Sequence, residues 1–156
     1  MIEVYNHRLF VSEEDIDMVG HVNNVVYLKW MQDAALAHSS QQGWPAERYQ
    51  ERGAGWVARL HQIEYLQPAF PGDCVVVQTW VSDMKKVTST RRYRIFRLTE
   101  VESSPGTPAT DTNGVDSANQ LLAVAHTQWA FIDFSSRQPK RIPPEIANAY
   151  RVIEHP

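Results

Sequence analysis

Little in this sequence of 156 residues could cross-link it, carry it across a membrane or hold it on a polyanion. Cys74 is the only cysteine, so no intrachain disulfide can form and nothing calls for an oxidising compartment. No apolar run approaches the roughly 20 residues that a membrane helix needs. The opening MIEVYNHRLF lacks the basic segment and apolar core of a secretory leader, so a cytoplasmic protein without a membrane partner is expected. Lys and Arg number 15 against 18 Asp and Glu, a formal charge of -3 that gives no reason to expect nucleic acid. Metal motifs are also lacking: there is no HExxH, no cysteine pair and no carboxylate-rich metal loop. Neither a serine elbow nor a recognisable cysteine and histidine pattern is present. What remains is 43% hydrophobic and 21% charged, the composition of one globular domain over residues 1–156.

Residues 2–11, IEVYNHRLFV, mix β-branched and aromatic side chains and predict a first strand. The acidic, glycine-bearing SEEDIDMVGH follows as a loop. From Asn24 the period changes. Val25, Leu28, Met31, Ala35 and His38 recur at threes and fours while Lys29, Gln32, Asp33 and Ser40 gather elsewhere, which predicts one long helix ending near Gly43 and Pro45. WVARLHQIEYL, DCVVVQTWV, VTSTRRYRIFRL and QLLAVAHTQWAFID then read as four strands. PAFPGD and DMKK are the turns between the first three, too short for helical crossovers, so those strands are expected to be antiparallel neighbours. EVESSPGTPATDTNGVDSAN, residues 100–119, predicts a flexible hairpin excursion inside the domain, and RIPPEIANAY a brief proline-initiated helical turn. The expected fold is α+β, an antiparallel five-stranded sheet curled around one long central helix. An edge of such a sheet needs cover, which makes side-by-side dimers an expected consequence.

The candidate chemistry lies in DIDMVGHVNN, residues 15–24. Asn23 or Asn24 can cap the helix, whose first turn directs unused N–H groups and positive dipole toward the loop before it. Gly20 lets that loop turn back, so the Asp17 carboxylate can face the helix start. A carboxylate beside backbone donors can attack an acyl carbon or deprotonate water while the donors hold the oxygen that gains charge. Such a sparse toolkit suits a thioester, whose thiol leaves with a pKa of about 8.5 and needs no strong acid. The plainer readings stand beside this one: Asp17 as a loop carboxylate, Asp15 as a solvated group, the two asparagines as caps. His21 is either a proton-transfer or substrate-polarising group or a hydrogen-bonded loop histidine. Tyr27, Trp30 and Met31 either shape an acyl pocket or pack the core.

DMKKVTSTRRYRIFR, residues 83–97, carries a second cluster. Lys85 and Lys86 fall in a turn. In the following strand Arg92 and Arg94 share one face, Arg91 and Arg97 the other. Lys85, Lys86, Arg91 and Arg92 are the candidates for gripping the phosphates of a nucleotide-containing thiol carrier or facing an acidic carrier protein, against the alternative of a solvated basic face.

DIDMVGHVNNVVYLKWM also resembles the D-x-D-x-x-G segment and helix start of hotdog-fold thioesterases of the 4-hydroxybenzoyl-CoA thioesterase type, which include small acyl-CoA thioesterases. The ending WAFIDFSSRQPKRIPPEI is similar to that family's last strand and proline-containing exit. The resemblance implies the fold above, dimers whose sheets join edge to edge, often tetramers of those dimers, and acyl thioester hydrolysis with neither metal nor bound cofactor. It implies Asp17 as catalytic nucleophile or general base and Asn24 as the backbone oxyanion donor. GHVNN is closer to the HVNN segment of plant acyl-carrier-protein thioesterases, whose active-site histidine His21 matches. The asparagine expected two residues earlier is Val19 here. Glu64 in HQIEYLQP resembles a carboxylate-bearing strand segment of those relatives, with a surface glutamate as the alternative. The expected activity is hydrolysis of an acyl-CoA substrate. An acyl-carrier-protein thioesterase, a non-catalytic acyl-thioester binding protein and a structural dimer with a vestigial cleft are the competing readings.

Overall fold

The computed structural model of the chain describes residues 3–99 and 119–156. Five strands, β1 (Val4–Phe10), β2 (Ala54–Tyr65), β3 (Cys74–Met84), β4 (Thr88–Arg97) and β5 (Gln120–Asp133), form one sheet. Three helices accompany it: α1 (Asn24–Gln41), α2 (Ala46–Arg52) and α3 (Pro144–Ala147). The sheet is antiparallel with the order β1-β3-β4-β5-β2, and α1 packs on one face of it. This is the expected α+β architecture of one long helix held by a five-stranded sheet. The excursion expected at 100–119 lies outside the described residues apart from Asn119, whose side chain accepts from the Thr99 N–H at 3.3 Å.

One expectation about pairing fails. β2 and β3 are not neighbours: β2 pairs with β5 over its length, Ala54 opposite Asp133 and Tyr65 opposite Ala123. The short PAFPGD connection does not close a hairpin because it runs across the end of the sheet. There Leu66 and Gln67 donate to the Leu122 carbonyl and the Ala69 carbonyl accepts from Val22. Crossing three strand spacings of about 4.8 Å is well within reach of eight extended residues. The crossing segment thereby becomes the floor under the start of α1.

The buried stripe of α1 also differs from expectation. Tyr27, Trp30, Met31, Ala34, Ala35 and His38 are buried, whereas Val25 is 71% exposed in the first turn. The stripe keeps helical spacing but is rotated by the aromatic pair Tyr27 and Trp30, whose rings meet at 4.9 Å. Beneath it lie Val75, Val77, Tyr93, Ile95, Leu122 and Ala123, the inward-facing residues of β3, β4 and β5. A second cluster of Trp44, Tyr49, Phe131, Ile142 and Ile146 closes the far end, built partly from α2, which had no distinct signature in GWPAERYQERGAG. Gly53 ends α2 with φ +72°, a left-handed position that glycine adopts without strain.

Candidate active site

The loop before α1 is built from backbone bonds. Ile16 and Val22 form an isolated antiparallel bridge, and the Asp17 N–H donates to the His21 carbonyl at 2.8 Å, so residues 17–21 close on themselves. Gly20 sits at φ +87°, where a side chain would be strained although open space surrounds it. Inside this turn Asp17 Oδ1 accepts from the N–H groups of Val19 at 2.9 Å and His21 at 3.3 Å. Oδ2 has no hydrogen-bond partner among the described residues, and the side chain is partly exposed. The carboxylate is thus anchored through one oxygen with the other left open.

Six residues after Asp17, Asn23 caps α1: its Oδ1 accepts from Val25 N–H at 3.0 Å and its carbonyl from Val26 N–H at 2.9 Å. The Asn24 N–H keeps no partner among the described residues. Asn23 itself is tied back by its N–H to the Asp15 carbonyl at 2.8 Å, while Asp15's carboxylate caps the short 3-10 turn Glu13–Asp15 and accepts from Ser12 N–H. Asp15 is thereby occupied structurally. Asp17, Gly20 and His21 share one closed turn, and Asn24 follows it as the first residue of α1. The His21 ring packs edge-on against Phe70 at 5.3 Å and makes no hydrogen bond to Asp17 among the described residues. The Tyr65 hydroxyl donates to the Asn24 carbonyl at 2.7 Å, fixing the helix start to the end of β2. Tyr27 lies 2% exposed beneath, edge-on to Tyr65, and burial pushes its hydroxyl pKa up. It supports the site from the core.

The basic cluster is not brought to this place within one chain. The Asp17 end of the molecule holds the start of β3 and the end of β4, where Arg97 pairs with Asp73 at 3.1 Å and reaches the Pro68 carbonyl. Lys85 and Lys86 are exposed in the β3–β4 turn, the full eleven residues of β3 away, about 33 Å of strand. Arg92 is exposed on the outer face of the sheet and Glu64 is exposed on β2, both on the walls of a shallow cleft with Trp80, Arg94 and His126. Arg91 points inward and is 5% exposed, donating through Nη1 to His38 Nδ1 at 2.9 Å and Thr79 Oγ1 at 3.1 Å. The alternation Arg91, Tyr93, Ile95 carried this information, since an arginine in register with two apolar core residues faces the core.

A cavity of about 390 Å³ opens beside Arg91, at the opposite end of α1 from Asp17, walled by Tyr49, Trp56, Trp129, Phe134 and Tyr150. Apart from Arg91, none of these had been singled out by its sequence pattern, because they come from α2, three strands and the tail. Among the described residues no three His, Cys, Asp or Glu side chains converge as a metal site, and no helix is long and apolar enough to cross a membrane.

Comparison with known proteins follows the same lines. The chain superposes on a 1,4-dihydroxy-2-naphthoyl-CoA thioesterase from Synechocystis with a TM-score of 0.77 and 20% identity, covering 98% of this chain and 99% of that one. A DHNA-CoA thioesterase from Staphylococcus aureus gives 0.77 and 18%, covering 95% and 89%. Another Staphylococcus aureus protein, solved in complex with CoA, gives 0.78 and 14%, covering 100% and 92%. A search of curated protein sequences found no match. The family model described as the thioesterase-like superfamily matches residues 11–150, which include the Asp17 loop, α1 and all of β2 to β5. The chain belongs to the thioesterase-like superfamily and has its hotdog fold.

Proposed function

We propose that the protein hydrolyses an acyl-CoA thioester to the free acid and coenzyme A at the Asp17 loop. Two observations carry this reading: Asp17 Oδ2 is open in the turn that leads into α1, and the first N–H of that helix, at Asn24, is unclaimed among the described residues. With Asp17 as general base, Oδ2 takes a proton from water as the water oxygen adds to the thioester carbon. The carbonyl oxygen gains charge beside the Asn24 N–H, and collapse of the adduct expels the thiolate, which recovers the proton from Asp17. With Asp17 as nucleophile, Oδ2 forms an acyl anhydride, expels the thiolate and is regenerated by water. Incubation of Asp17-containing protein with substrate in ¹⁸O-water separates the routes: single-turnover label in Asp17 marks the nucleophile. His21, packed on Phe70, borders the substrate path as a secondary contact, and Gly20 holds the loop open to it.

The active unit is a dimer joined through β2. This twelve-residue edge strand exposes Val57, Leu60 and Tyr65 at 38%, 46% and 41%. Antiparallel pairing of two β2 strands sets the Asp17 end of one chain beside the Lys85 and Lys86 end of the other, since Tyr65 and Ala54 mark opposite ends of β2. That arrangement supplies the phosphate contacts that one chain cannot, from Lys85, Lys86 and Arg92. The expected setting is the cytoplasm.

The test is a thiol-release screen across short-chain, long-chain and aromatic acyl-CoAs, with Asp17→Asn as control. Turnover of CoA esters that the substitution abolishes supports the reading. No turnover on CoA esters followed by turnover on carrier-protein esters moves the substrate to the acyl-carrier protein. Saturable binding without hydrolysis makes the protein a thioester binder.

A further inference from the structure

The cavity at the far end of α1 has a chemistry of its own. Its walls are aromatic and apolar, with Tyr49, Met84, Trp56, Trp129, Phe134 and Tyr150 around an opening of about 390 Å³, in the range of roughly 300–1,000 Å³ found for small-molecule sites. One cation, Arg91, is set into this surface. It is 5% exposed, and its two protein partners are neutral: the Thr79 hydroxyl, and the His38 ring, which must accept through Nδ1 because a guanidinium only donates. The ion pairs among the described residues are Arg52–Glu145, Arg97–Asp73 and Arg151–Glu3, so no carboxylate neutralises Arg91. The nearby phenol offers no charge either, since burial pushes the Tyr49 hydroxyl up to about 12. Tyr150 turns its ring toward the guanidinium at 5.8 Å, a weaker compensation than an anion.

A guanidinium buried without a counter-charge is costly unless something completes it. Both partners are bound through Nη1, so the Nε and Nη2 donors of a fork that matches a carboxylate are uncommitted in the described structure. We infer that this cavity binds an amphipathic monocarboxylic acid, its carboxylate on Arg91 and its apolar body between Trp56, Trp129 and Phe134. The site is separate from the Asp17 loop of the same chain, since its lining on α1 runs from Gln32 to Ser39 and so begins about 12 Å along the helix from Asn24. If the thioesterase reading holds, the acid released at Asp17 belongs to the class that this cavity takes.

Calorimetric titration of the intact chain with octanoate and 3-phenylpropionate, against octanamide and 3-phenylpropionamide, tests the assignment without any assay of turnover. The acids are expected to bind once per chain and at least tenfold more tightly than the amides. In Arg91→Met the acid and the amide should bind alike, while Arg91→Lys should keep part of the preference. Equal affinity of acid and amide for the unsubstituted protein, or no acid binding at all, overturns the proposal. If Arg91→Met does not fold, the acid against amide comparison on the unsubstituted chain still decides. A preference that persists undiminished in a folded Arg91→Met also overturns it.

Discussion

The two ends of α1 solve different problems by different means. At its start, the functional groups come from ten consecutive residues, and short-range backbone bonds place them: Asp17 to Val19 and His21, Asn23 to Val25 and Val26. At its other end, a cation and an aromatic cavity arise from residues scattered between Gln32 and Tyr150, placed by sheet register and core packing. The first end is polar, the second largely apolar. A site written in local bonds tolerates change in the distant core, whereas a site assembled from many elements depends on all of them.

Asp17→Asn breaks the first end most sharply. The amide still accepts from Val19 and His21 through its oxygen, so the loop keeps its form, but the open atom is no longer a base or a strong nucleophile. Turnover is expected to fall by about 10²–10⁴-fold, with little change in melting temperature. Thiol release measured on protein of checked fold decides it, and undiminished turnover would end the Asp17 mechanism.

Ile146→Ala acts on the second end. Ile146 is fully buried in the cluster with Trp44, Tyr49 and Phe131 that backs the cavity. Its truncation is expected to cost about 2–5 kcal/mol. Denaturant unfolding would measure that loss, and the prediction is that acid binding weakens while turnover per folded molecule is maintained at low temperature. Parallel loss of both would show that the two ends are not independent.

Asn23→Ala sharpens the comparison from the local side. It removes the cap that holds Val25 N–H, at a cost of about 1 kcal/mol. It also frees a second donor to compete with Asn24 for the substrate oxygen, so its rate effect should exceed its stability effect. A variant that melts lower yet turns over normally would detach the helix start from the chemistry.

This contrast also explains what could be read from the chain. The Asp17 turn and the cap are matters of neighbouring residues, and DIDMVGHVNN displays them directly. The pairing of β2 with β5 was not legible, because a short connection ordinarily implies a hairpin. Only the need to floor the helix start, where Ala69 meets Val22, reveals why this one crosses the sheet. Val25 shares the helical period of Leu28 and Met31, yet it lies exposed in the first turn, so the period alone does not say which face is covered. The basic run makes Arg91 a candidate for a phosphate grip, yet it is buried. Its inward direction was implicit in alternation with Tyr93 and Ile95, while its neutral partners His38 and Thr79 lie 53 and 12 residues away and leave no local trace.

The smallest expected effect concerns the framework that both ends share. His7 on β1 and His61 on β2 sit on the two edge strands, and burial holds the pKa of each below its ordinary 6.5, partly opposed at His7 by Asp33. Well above pH 6.5 both rings are neutral in folded and unfolded chains, and their contribution is fully present. As the pH falls below 6.5 the unfolded chain takes up protons that the folded chain resists, so stability declines until the lower folded pKa values are passed. The melting temperature should therefore drop modestly between pH 7.5 and 5.5, and a His7→Gln, His61→Gln double variant should flatten that slope. Because these residues belong to the sheet and to neither site, melting followed by near-ultraviolet circular dichroism of the aromatic cavity and by loss of thiol release at Asp17 should shift together. A shift confined to one readout would mean that the ends of α1 unfold separately, and the division drawn between them would then extend from their chemistry to their stability.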